Sequence, residues 1–327
     1  MLRSTKGTIE VEEISAATYA EFLLKHEHIL KDEVTMLSYK AAIEANAELF
    51  HQATVLEVGC GSGVLSLWAA QQGAAKVIAV ESSAVCQVAR QLVRHNRMEH
   101  VIEVIQENVQ QLQLPPVDII ISKWMGSALE AVIYARDKWL KPGGCIFPHQ
   151  ANLYMVAADQ PREQQSLPDY WTRYSGLDLR LAWRIMQQTP VIDCLDAAQV
   201  ITQWQLLRRF DLSTLSSHEL SFTVPFKLRA LRQSLAKWFV LYFDFRFPKL
   251  KPITTSPSAP PTQWKQALFH IDAHLPLCIR DVVKGTFQVK RAVRHLDFDI
   301  DWSFSNELVQ VQMHKQIYRM QAGPDAV

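Results

Sequence analysis

Cysteine is scarce in this sequence, and its spacing excludes the patterns that indicate a disulfide framework or a zinc site. The five cysteines are scattered and odd in number, and no two of them form a C-x-x-C pair. We therefore expect a reducing, intracellular environment and no metal site. The cysteines are Cys60, Cys86, Cys145, Cys194 and Cys278.

Long apolar runs and an excess of one charge are also lacking. No apolar run approaches the roughly 20 residues that a membrane span needs, and the first residues lack the order of a signal peptide. The 34 basic residues are balanced by 33 acidic ones, so a net charge of +1 gives no general attraction to nucleic acid or anionic membranes. We expect a cytoplasmic protein, with the nucleus as the alternative, that binds neither nucleic acid directly nor a membrane.

What the sequence does contain is enough apolar material for two domains. It has 327 residues, of which 48% are hydrophobic and 20% are charged. Residues 1–50 are expected to be helical, because apolar residues from Ile29 to Ala41 recur at helical spacing. Residues 51–148 then alternate short apolar runs with helical stretches, which is typical of a doubly wound parallel sheet. The expected strands are Thr54–Val58, Lys76–Val80, Val101–Gln106 and Val117–Ser122, and the expected helices are Val64–Gln72, Val85–Asn96 and Leu129–Leu140, the last closed by Pro142-Gly143-Gly144.

Residues 149–327 have the period-2 pattern of an antiparallel barrel or sandwich. The segment Asp297–Trp302 alternates acidic with apolar residues, so one face should be wet and the other buried. The polar stretch 159–186 carries isolated aromatic residues and is expected to be a mobile loop or a docking arm, with Tyr170, Trp171 and Tyr174 as interface residues. The expected strands are Leu220–Val224, Phe239–Phe247, Ala267–Ile271, Gly285–Val289, Leu296–Phe304 and Leu308–Met313.

A glycine-rich turn between the first strand and helix predicts a nucleoside site. Gly59, Gly61 and Gly63 let the backbone approach a ligand closely, and the start of the helix supplies free N–H donors. Glu81 ends the second strand, where a carboxylate can accept hydrogen bonds from ribose hydroxyls. The spacing G-x-G-x-G, with Glu57 two residues before the first glycine, is typical of methyltransferases and differs from the NAD pattern.

Longer motifs identify a family resemblance. The segments DIIISKWMGS and VIYARDKWLKPGGCIFP, within Asp118–Pro148, closely resemble type I protein arginine N-methyltransferases. So do TTSPSAPPTQWKQALF, LDFDIDWSF and LKDEVTMLSY, and the matches run in order from about residue 19 to 320. The resemblance implies a Rossmann-like S-adenosylmethionine methyltransferase domain (51–148) after an N-terminal helical segment (1–50). It also implies a β-barrel domain (149–327) with a dimerisation arm at about 159–186, which docks on the Rossmann domain of another subunit.

The resemblance fails at the positions that would perform the chemistry. The family grips the substrate guanidinium with two glutamates, which suit bidentate, charge-assisted hydrogen bonds. The first glutamate position is Lys123 here, and the second falls in a shortened loop where Glu130 is the nearby carboxylate. We interpret Glu130 as a residue of a helix face or an ion-pair partner of Lys123.

Further departures affect the cofactor pocket and the second domain. The resemblance places a histidine at Gln263, a cofactor-binding arginine at Thr35 and an adenine-side acid at Gln110, and it places an aromatic cap at Ser15–Ala17. Because these losses affect one pocket while scaffold motifs persist, we expect no catalytic residues. Residues Glu57, Gly59, Gly61, Gly63 and Glu81 would then be vestiges of a cofactor site that binds S-adenosylmethionine weakly or not at all.

The preferred hypothesis is a non-catalytic prozyme, a regulatory subunit that pairs with an active arginine methyltransferase in a hetero-oligomer and activates or stabilises it. One alternative is a divergent, active methyltransferase that uses Glu130. Another is an adaptor that needs no catalytic relative, and co-purification with an active enzyme distinguishes it from a prozyme.

Overall fold

The computed structural model describes residues 14–125, 128–159, 176–291, 295–305 and 312–321. The chain divides into two units, Met1–Phe147 and Pro148–Val327. The first is an α/β unit and the second is a β unit with one described α-helix. Among the described residues, no helix is long and apolar enough to cross a membrane.

From Ala16 onward the N-terminal segment is helical, as predicted, but it is broken into short pieces. Two side chains begin helices here: Ser15 accepts a hydrogen bond from the Thr18 backbone N–H, and Asp32 accepts one from that of Thr35. Between them lies a single π-helical turn, a rare conformation that often occurs at functional sites. The pieces are α1 (Ala16–Glu21), the π turn (Phe22–His26), α2 (Glu27–Lys31), α3 (Glu33–Ala45) and α4 (Ala47–Phe50).

The first unit then forms a five-stranded, wholly parallel sheet in the order β3-β2-β1-β4-β5. Strand order reverses between β1 and β4, and ligands of open α/β sheets bind where the carboxyl ends of strands flank such a switch. This confirms the predicted Rossmann-like fold. The elements are β1 (Thr54–Val58), α5 (Val64–Gln71), β2 (Lys76–Glu81), α6 (Cys86–His95), β3 (Ile102–Gln106), β4 (Val117–Ile121), α7 (Leu129–Trp139) and β5 (Leu140–Phe147).

The prediction for Pro142-Gly143-Gly144 is wrong. Helix α7 ends at Trp139, and the three residues belong to β5 instead of closing the helix. A β carbon on Gly144 would lie 2.8 Å from the Asp118 carbonyl oxygen and 2.6 Å from Leu140 Cδ1. The glycine therefore permits close approach of β5 to β4, which a composition-based interpretation as a helix end does not reveal.

The second unit contains two antiparallel sheets, which confirms the predicted antiparallel β architecture. One has the order β7-β12-β10-β6-β8, with β11 paired to β10, and the other has the order β15-β14-β13-β9. The elements are β6 (Gln150–Ala158), α8 (Arg180–Gln187), β7 (Val191–Asp193), β8 (Gln205–Asp211), β9 (Phe222–Arg229), β10 (Ser234–Arg246), β11 (Ile253–Thr254), β12 (Gln266–Leu277), β13 (Val282–Arg291), β14 (His295–Phe304) and β15 (Gln312–Gln321).

Both sheets contribute to one apolar core that is rich in aromatic rings. Phe269 lies edge-on to Phe298 and Tyr318, with ring centroids 5.1 Å apart in each pair. The predicted alternation in β14 is confirmed for the apolar face, since Phe298, Ile300 and Trp302 are buried in this core. On the opposite face Asp299 is buried as well, because Lys290 pairs with it at 2.7 Å. The sequence missed β6 and β8, and the predicted strand Leu308–Met313 falls largely outside the described residues.

Gly285 in β13 gives a stability prediction. A β carbon there would lie 2.1 Å from the Asp301 carbonyl oxygen and 2.7 Å from Phe226 Cζ, so Gly285→Ala should lower the free energy of unfolding by about 1–3 kcal/mol. The matched control, Thr286→Ala, alters the exposed face of the same strand and should cost less than about 1 kcal/mol. Urea denaturation of the three proteins checks this, and equal losses for both variants would contradict the steric argument.

Candidate functional site

The three glycines form the turn that joins β1 to α5. Gly59, Gly61 and Gly63 have φ angles of +71°, +53° and +77°, a region that residues with a β carbon rarely adopt. The backbone N–H groups of Gly59 and Cys60 donate to the Val80 carbonyl, at 2.9 and 3.0 Å. The turn is thus fixed to the carboxyl end of β2.

Glu81 holds the same turn from the other side. One carboxylate oxygen accepts from the Gly61 N–H at 2.8 Å and the other from the Ser83 N–H at 3.0 Å. Each carboxylate oxygen can accept a second hydrogen bond. Glu81 therefore orders the turn and retains capacity for hydroxyl donors of a ligand.

Glu57 is fully buried at the end of β1. Its Oε2 accepts a hydrogen bond from Ser66 Oγ at 2.5 Å, whereas its Oε1 is buried with no hydrogen-bond partner among the described residues. Burial raises the pKa of Glu57 to about 7, against the opposing effects of the Lys123 charge and the Ser66 hydroxyl. A carboxyl group with this pKa exchanges its proton near neutral pH.

Lys123 follows β4 and interacts electrostatically with Glu57 and Glu81. Its position is fixed by Ser122, whose Oγ donates to the Val58 carbonyl at 2.7 Å and whose carbonyl accepts from Tyr39 Oη at 2.9 Å. Lys123 is half-buried, and burial lowers its pKa while the nearby Glu57, Cys60 and Glu81 raise it. The chain itself therefore supplies an ammonium group at the carboxyl edge of the sheet.

His26, which the sequence analysis missed, lies on the glycine turn. A β carbon on Gly61 would be 2.8 Å from His26 Nδ1, so the imidazole is in close contact with the turn backbone. His26 ends the π turn, and its ring stacks on Phe22 with centroids 6.3 Å apart. A π turn shifts the helical register, so α-helical periodicity could not reveal which side chain faces the turn.

Ser66 was also missed, although its signal was present. It is a buried polar residue in the apolar stretch that begins α5, and a buried hydroxyl needs a partner. Its partner is Glu57. A serine at the start of the helix after a glycine turn, opposite an acid on the preceding strand, could have suggested this pair.

Thr35 and Gln110 both take part in hydrogen bonds within the first unit. Thr35 is fully buried, and its hydroxyl donates to Asp32 Oδ2 at 2.6 Å while its N–H donates to Oδ1 at 3.0 Å. Gln110 is exposed in a 3-10 turn, and its carbonyl accepts from Tyr134 Oη at 3.2 Å. The Thr35 side chain is thus committed to the start of α3.

Two further predicted residues lie on other parts of the chain. Glu130 lies half-buried in the first turn of α7, and Gln263 lies in the second unit, directly before Trp264. The predicted interface residues Tyr170, Trp171 and Tyr174 lie outside the described residues. Within the described part of the chain, no group of three or more His, Cys, Asp or Glu side chains could hold a metal ion.

Comparisons with known proteins match both units. A family described as the arginine methyltransferase oligomerization subdomain matches residues 149–307, and one described as ribosomal protein L11 methyltransferase matches residues 33–148. Protein arginine N-methyltransferase 1 of Dictyostelium discoideum is 34% identical over 331 residues, which cover 95% of this chain and 97% of that protein. Protein arginine N-methyltransferase 8-B of Danio rerio is 36% identical over 305 residues, covering 89% of this chain and 73% of that protein.

Two solved structures share the whole architecture. A chain of the Trypanosoma brucei PRMT1 enzyme-prozyme heterotetrameric complex with AdoHcy has a TM-score of 0.86 and 31% identity, covering 93% of this chain and 99% of that one. Arabidopsis thaliana protein arginine methyltransferase 10 has a TM-score of 0.81 and 27% identity, covering 92% and 99%.

The buried carboxyl group of Glu57 predicts a pH-dependent contribution to stability. Because its folded pKa of about 7 lies above the ordinary value of 4.5, the stabilising contribution is fully present below pH 4.5 and is lost as the pH rises through 7. The free energy of unfolding of the wild type, relative to Glu57→Gln, should fall on the order of 3 kcal/mol across that window. Denaturant titrations from pH 4 to 8 measure this difference.

Lys123→Met provides the matched comparison for Glu57. The lysine charge lowers the folded Glu57 pKa, so its removal should extend the loss of stability to higher pH and increase its size, while the onset near pH 4.5 is unchanged. If the difference in the free energy of unfolding between wild type and Glu57→Gln stays constant from pH 4.5 to 8, Glu57 is not a buried carboxyl group that titrates in this range.

Proposed function

The chain belongs to the protein arginine N-methyltransferase family, and we propose that within it this chain is a non-catalytic prozyme. It would pair with a catalytically active arginine methyltransferase in a hetero-oligomer and activate or stabilise that subunit. The observation that carries the proposal is Lys123, a cation at the position where the family places a carboxylate for the substrate guanidinium. Its charge interacts with those of Glu57 and Glu81 at the carboxyl edge of the sheet.

The sign of this charge opposes both reactants of methyl transfer. The substrate guanidinium is positive, and so is the sulfonium of S-adenosylmethionine. One ion pair at about 4 Å, with an effective dielectric constant near 20, is worth roughly 4 kcal/mol. Reversal of one partner turns that attraction into repulsion of similar size, so Lys123 disfavours the encounter that the chemistry needs.

The cofactor fits this pocket only in part. The left-handed glycine turn and the spare acceptor capacity of Glu81 suit a nucleoside with ribose hydroxyls. Thr35 is buried and bonded to Asp32, so the position of the expected arginine offers nothing to the carboxylate of the amino-acid tail. When bound in a family member, the cofactor supplies the methyl group. Here the retained residues support weak binding or none.

The second unit supports a role in assembly. Helix α8 is attached to the β unit by Trp183, which lies edge-on to His270, and by Gln187, whose amide nitrogen lies 3.1 Å from His270 Nδ1. Its outer side exposes Leu181 and Ile185, one helical turn apart. An apolar stripe on a helix needs a partner surface.

This stripe belongs to the segment proposed as the dimerisation arm. It falls within residues 149–307, which match the oligomerization subdomain. We propose Tyr170, Trp171 and Tyr174 as further interface anchors, because large aromatic residues dominate many protein interfaces. The similarity to a chain of an enzyme-prozyme complex favours an unlike subunit as the partner.

The isolated chain should bind S-adenosylmethionine weakly or not at all. Loss of one charge-assisted hydrogen bond alone costs about 1.5–3 kcal/mol, or roughly ten- to a hundred-fold in affinity. Lys123→Gln should strengthen binding about tenfold, because it removes a cation that repels the sulfonium. Isothermal titration calorimetry measures both affinities.

Lys76→Gln is the control for that titration, since Lys76 begins β2 at the edge of the sheet opposite to Glu81. It should leave the affinity unchanged. A wild-type dissociation constant of about 10 μM or below would contradict the prediction.

The arm should be needed by the active partner although this chain performs no chemistry. A complex with Leu181→Ser/Ile185→Ser, or with Trp171→Ala/Tyr174→Ala, should lose most of its arginine methylation, because the partner is no longer held in its competent state. The control Leu181→Met/Ile185→Val keeps the stripe apolar and should retain activity. Methyl transfer to an arginine peptide and the mass of the complex are measured together.

The same reconstituted complex distinguishes a prozyme from the two alternatives, an active enzyme and an adaptor. A complex whose partner carries a disabled catalytic glutamate should be inactive, and residual activity there would establish this chain as an enzyme. Unchanged activity and unchanged mass with the serine variant would exclude the arm from the mechanism and favour an adaptor.

A further inference from the structure

Two connections between the sheets of the β unit lie side by side. Residues 230–233 join β9 to β10, and residues 278–281 join β12 to β13. The Arg280 N–H donates to the Ala230 carbonyl at 3.0 Å, and the Ala230 N–H donates to the Asp281 carbonyl at 2.8 Å. These bonds hold the two turns together, and Leu231 and Ile279 are each the chain neighbour of a bonded residue.

Both of these aliphatic side chains face solvent. Leu231 is 50% exposed and Ile279 is 64% exposed, although each sits in a turn with ordered backbone bonds. The Leu231 N–H donates to the Ile201 carbonyl at 2.8 Å, and the Cys278 N–H donates to Asp281 Oδ2 at 2.8 Å. A fixed backbone therefore presents an apolar pair to solvent.

Basic side chains continue from this pair along the outer face of the sheet. Lys227 on β9 lies directly opposite Lys284 on β13, and Arg229 is the next outward residue of β9. Like charges directly opposite each other on neighbouring strands are destabilising. Arg280, beside Ile279, adds a fourth cation.

These cations differ from the others on the same sheet. Toward the opposite end, Lys290 lies 2.7 Å from Asp299 and Arg319 lies 2.9 Å from Asp297. Over the described ranges, by contrast, no ion-pair partner faces Lys227, Arg229, Arg280 or Lys284. One end of the sheet is neutralised within the chain, and the other carries four cations beside the Asp281 carboxylate, which accepts from the Cys278 N–H.

The arrangement is linear. From Lys227 to Leu231 the chain advances four residues, or about 13 Å at the rise of a strand. The apolar pair lies at one end and the cations follow on the flat strand face. An extended peptide has the matching shape, whereas bases of nucleic acid would need aromatic stacking partners and a membrane would need a larger apolar surface.

We propose that this surface, the basic tip (Lys227, Arg229, Leu231, Ile279, Arg280 and Lys284), binds an extended acidic segment of a protein partner that carries aliphatic residues. The carboxylates of the segment would separate and neutralise the facing lysines, and an aliphatic side chain would cover Leu231 and Ile279. The site lies in the β unit and does not depend on the proposed prozyme role.

The test uses the full chain and a fluorescein-labelled peptide of about eight residues, Glu-Glu-Leu-Glu-Leu-Glu-Glu-Glu, long enough to span the basic tip. Fluorescence anisotropy should show saturable binding that weakens with salt. Lys284→Glu should weaken it about tenfold or more. This variant places a carboxylate opposite Lys227, a favourable cross-strand pair, so the fold should be retained, as circular dichroism would check.

Three controls accompany it. Lys251→Glu makes the same charge change at an exposed lysine outside the basic tip and should alter affinity less than about twofold. Leu231→Ser/Ile279→Ser should weaken the leucine peptide but not a version with serine in place of leucine. A version with lysine in place of glutamate should not bind.

Several outcomes would overturn the proposal. In the first, the acidic peptide does not bind. In the second, wild type and Lys284→Glu bind it equally. In the third, the lysine version of the peptide binds as well as the acidic one. Binding confined to an oligouridine RNA or to phosphatidylserine vesicles, offered in parallel, would assign the surface to another class of partner.

Discussion

The arrangement of the carboxyl edge of the parallel sheet depends on how the chain offsets the cost of burying the Glu57 carboxyl group. A fully buried carboxylate is costly unless hydrogen bonds or an opposite charge meet it. Ser66 satisfies one oxygen, and the charge of Lys123 opposes the rise in pKa that burial causes. The Lys123 side chain therefore supplies positive charge at the carboxyl edge of the sheet from within the chain.

The scaffold of the site is preserved although several of its side chains differ from the family pattern. The left-handed glycines, their bonds to β2 and the contact with Glu81 depend on backbone geometry, and they persist. The residues that differ from the family pattern change the side chains and leave the backbone intact. Thr35, for example, hydrogen-bonds to Asp32 at the start of α3. A fold with an ordered but altered pocket suits a subunit selected for shape, which is the basis of the proposed prozyme role.

The β unit presents two surfaces of different chemistry. Helix α8 offers an aliphatic stripe and is attached through the His270 ring, whose pKa burial lowers to about 4, so the imidazole is neutral at physiological pH. The basic tip combines two aliphatic residues with unpaired cations. The first suits burial against a folded subunit, and the second suits a flexible acidic segment. One chain could thus hold an enzyme and a further protein together.

The sequence by itself determined the Rossmann-like and antiparallel folds, the glycine turn and the cation at Lys123, because periodicity, local motifs and residue identity are properties of neighbouring positions. Strands β6 and β8, the role of Pro142–Gly144 in β5 and the contact of His26 with Gly61 were decided by tertiary structure. The physical reason is the same in each case. Sheet pairing and the contact of His26 with Gly61 join residues that are distant in the chain, and their energy comes from packing and hydrogen bonds that no local pattern records.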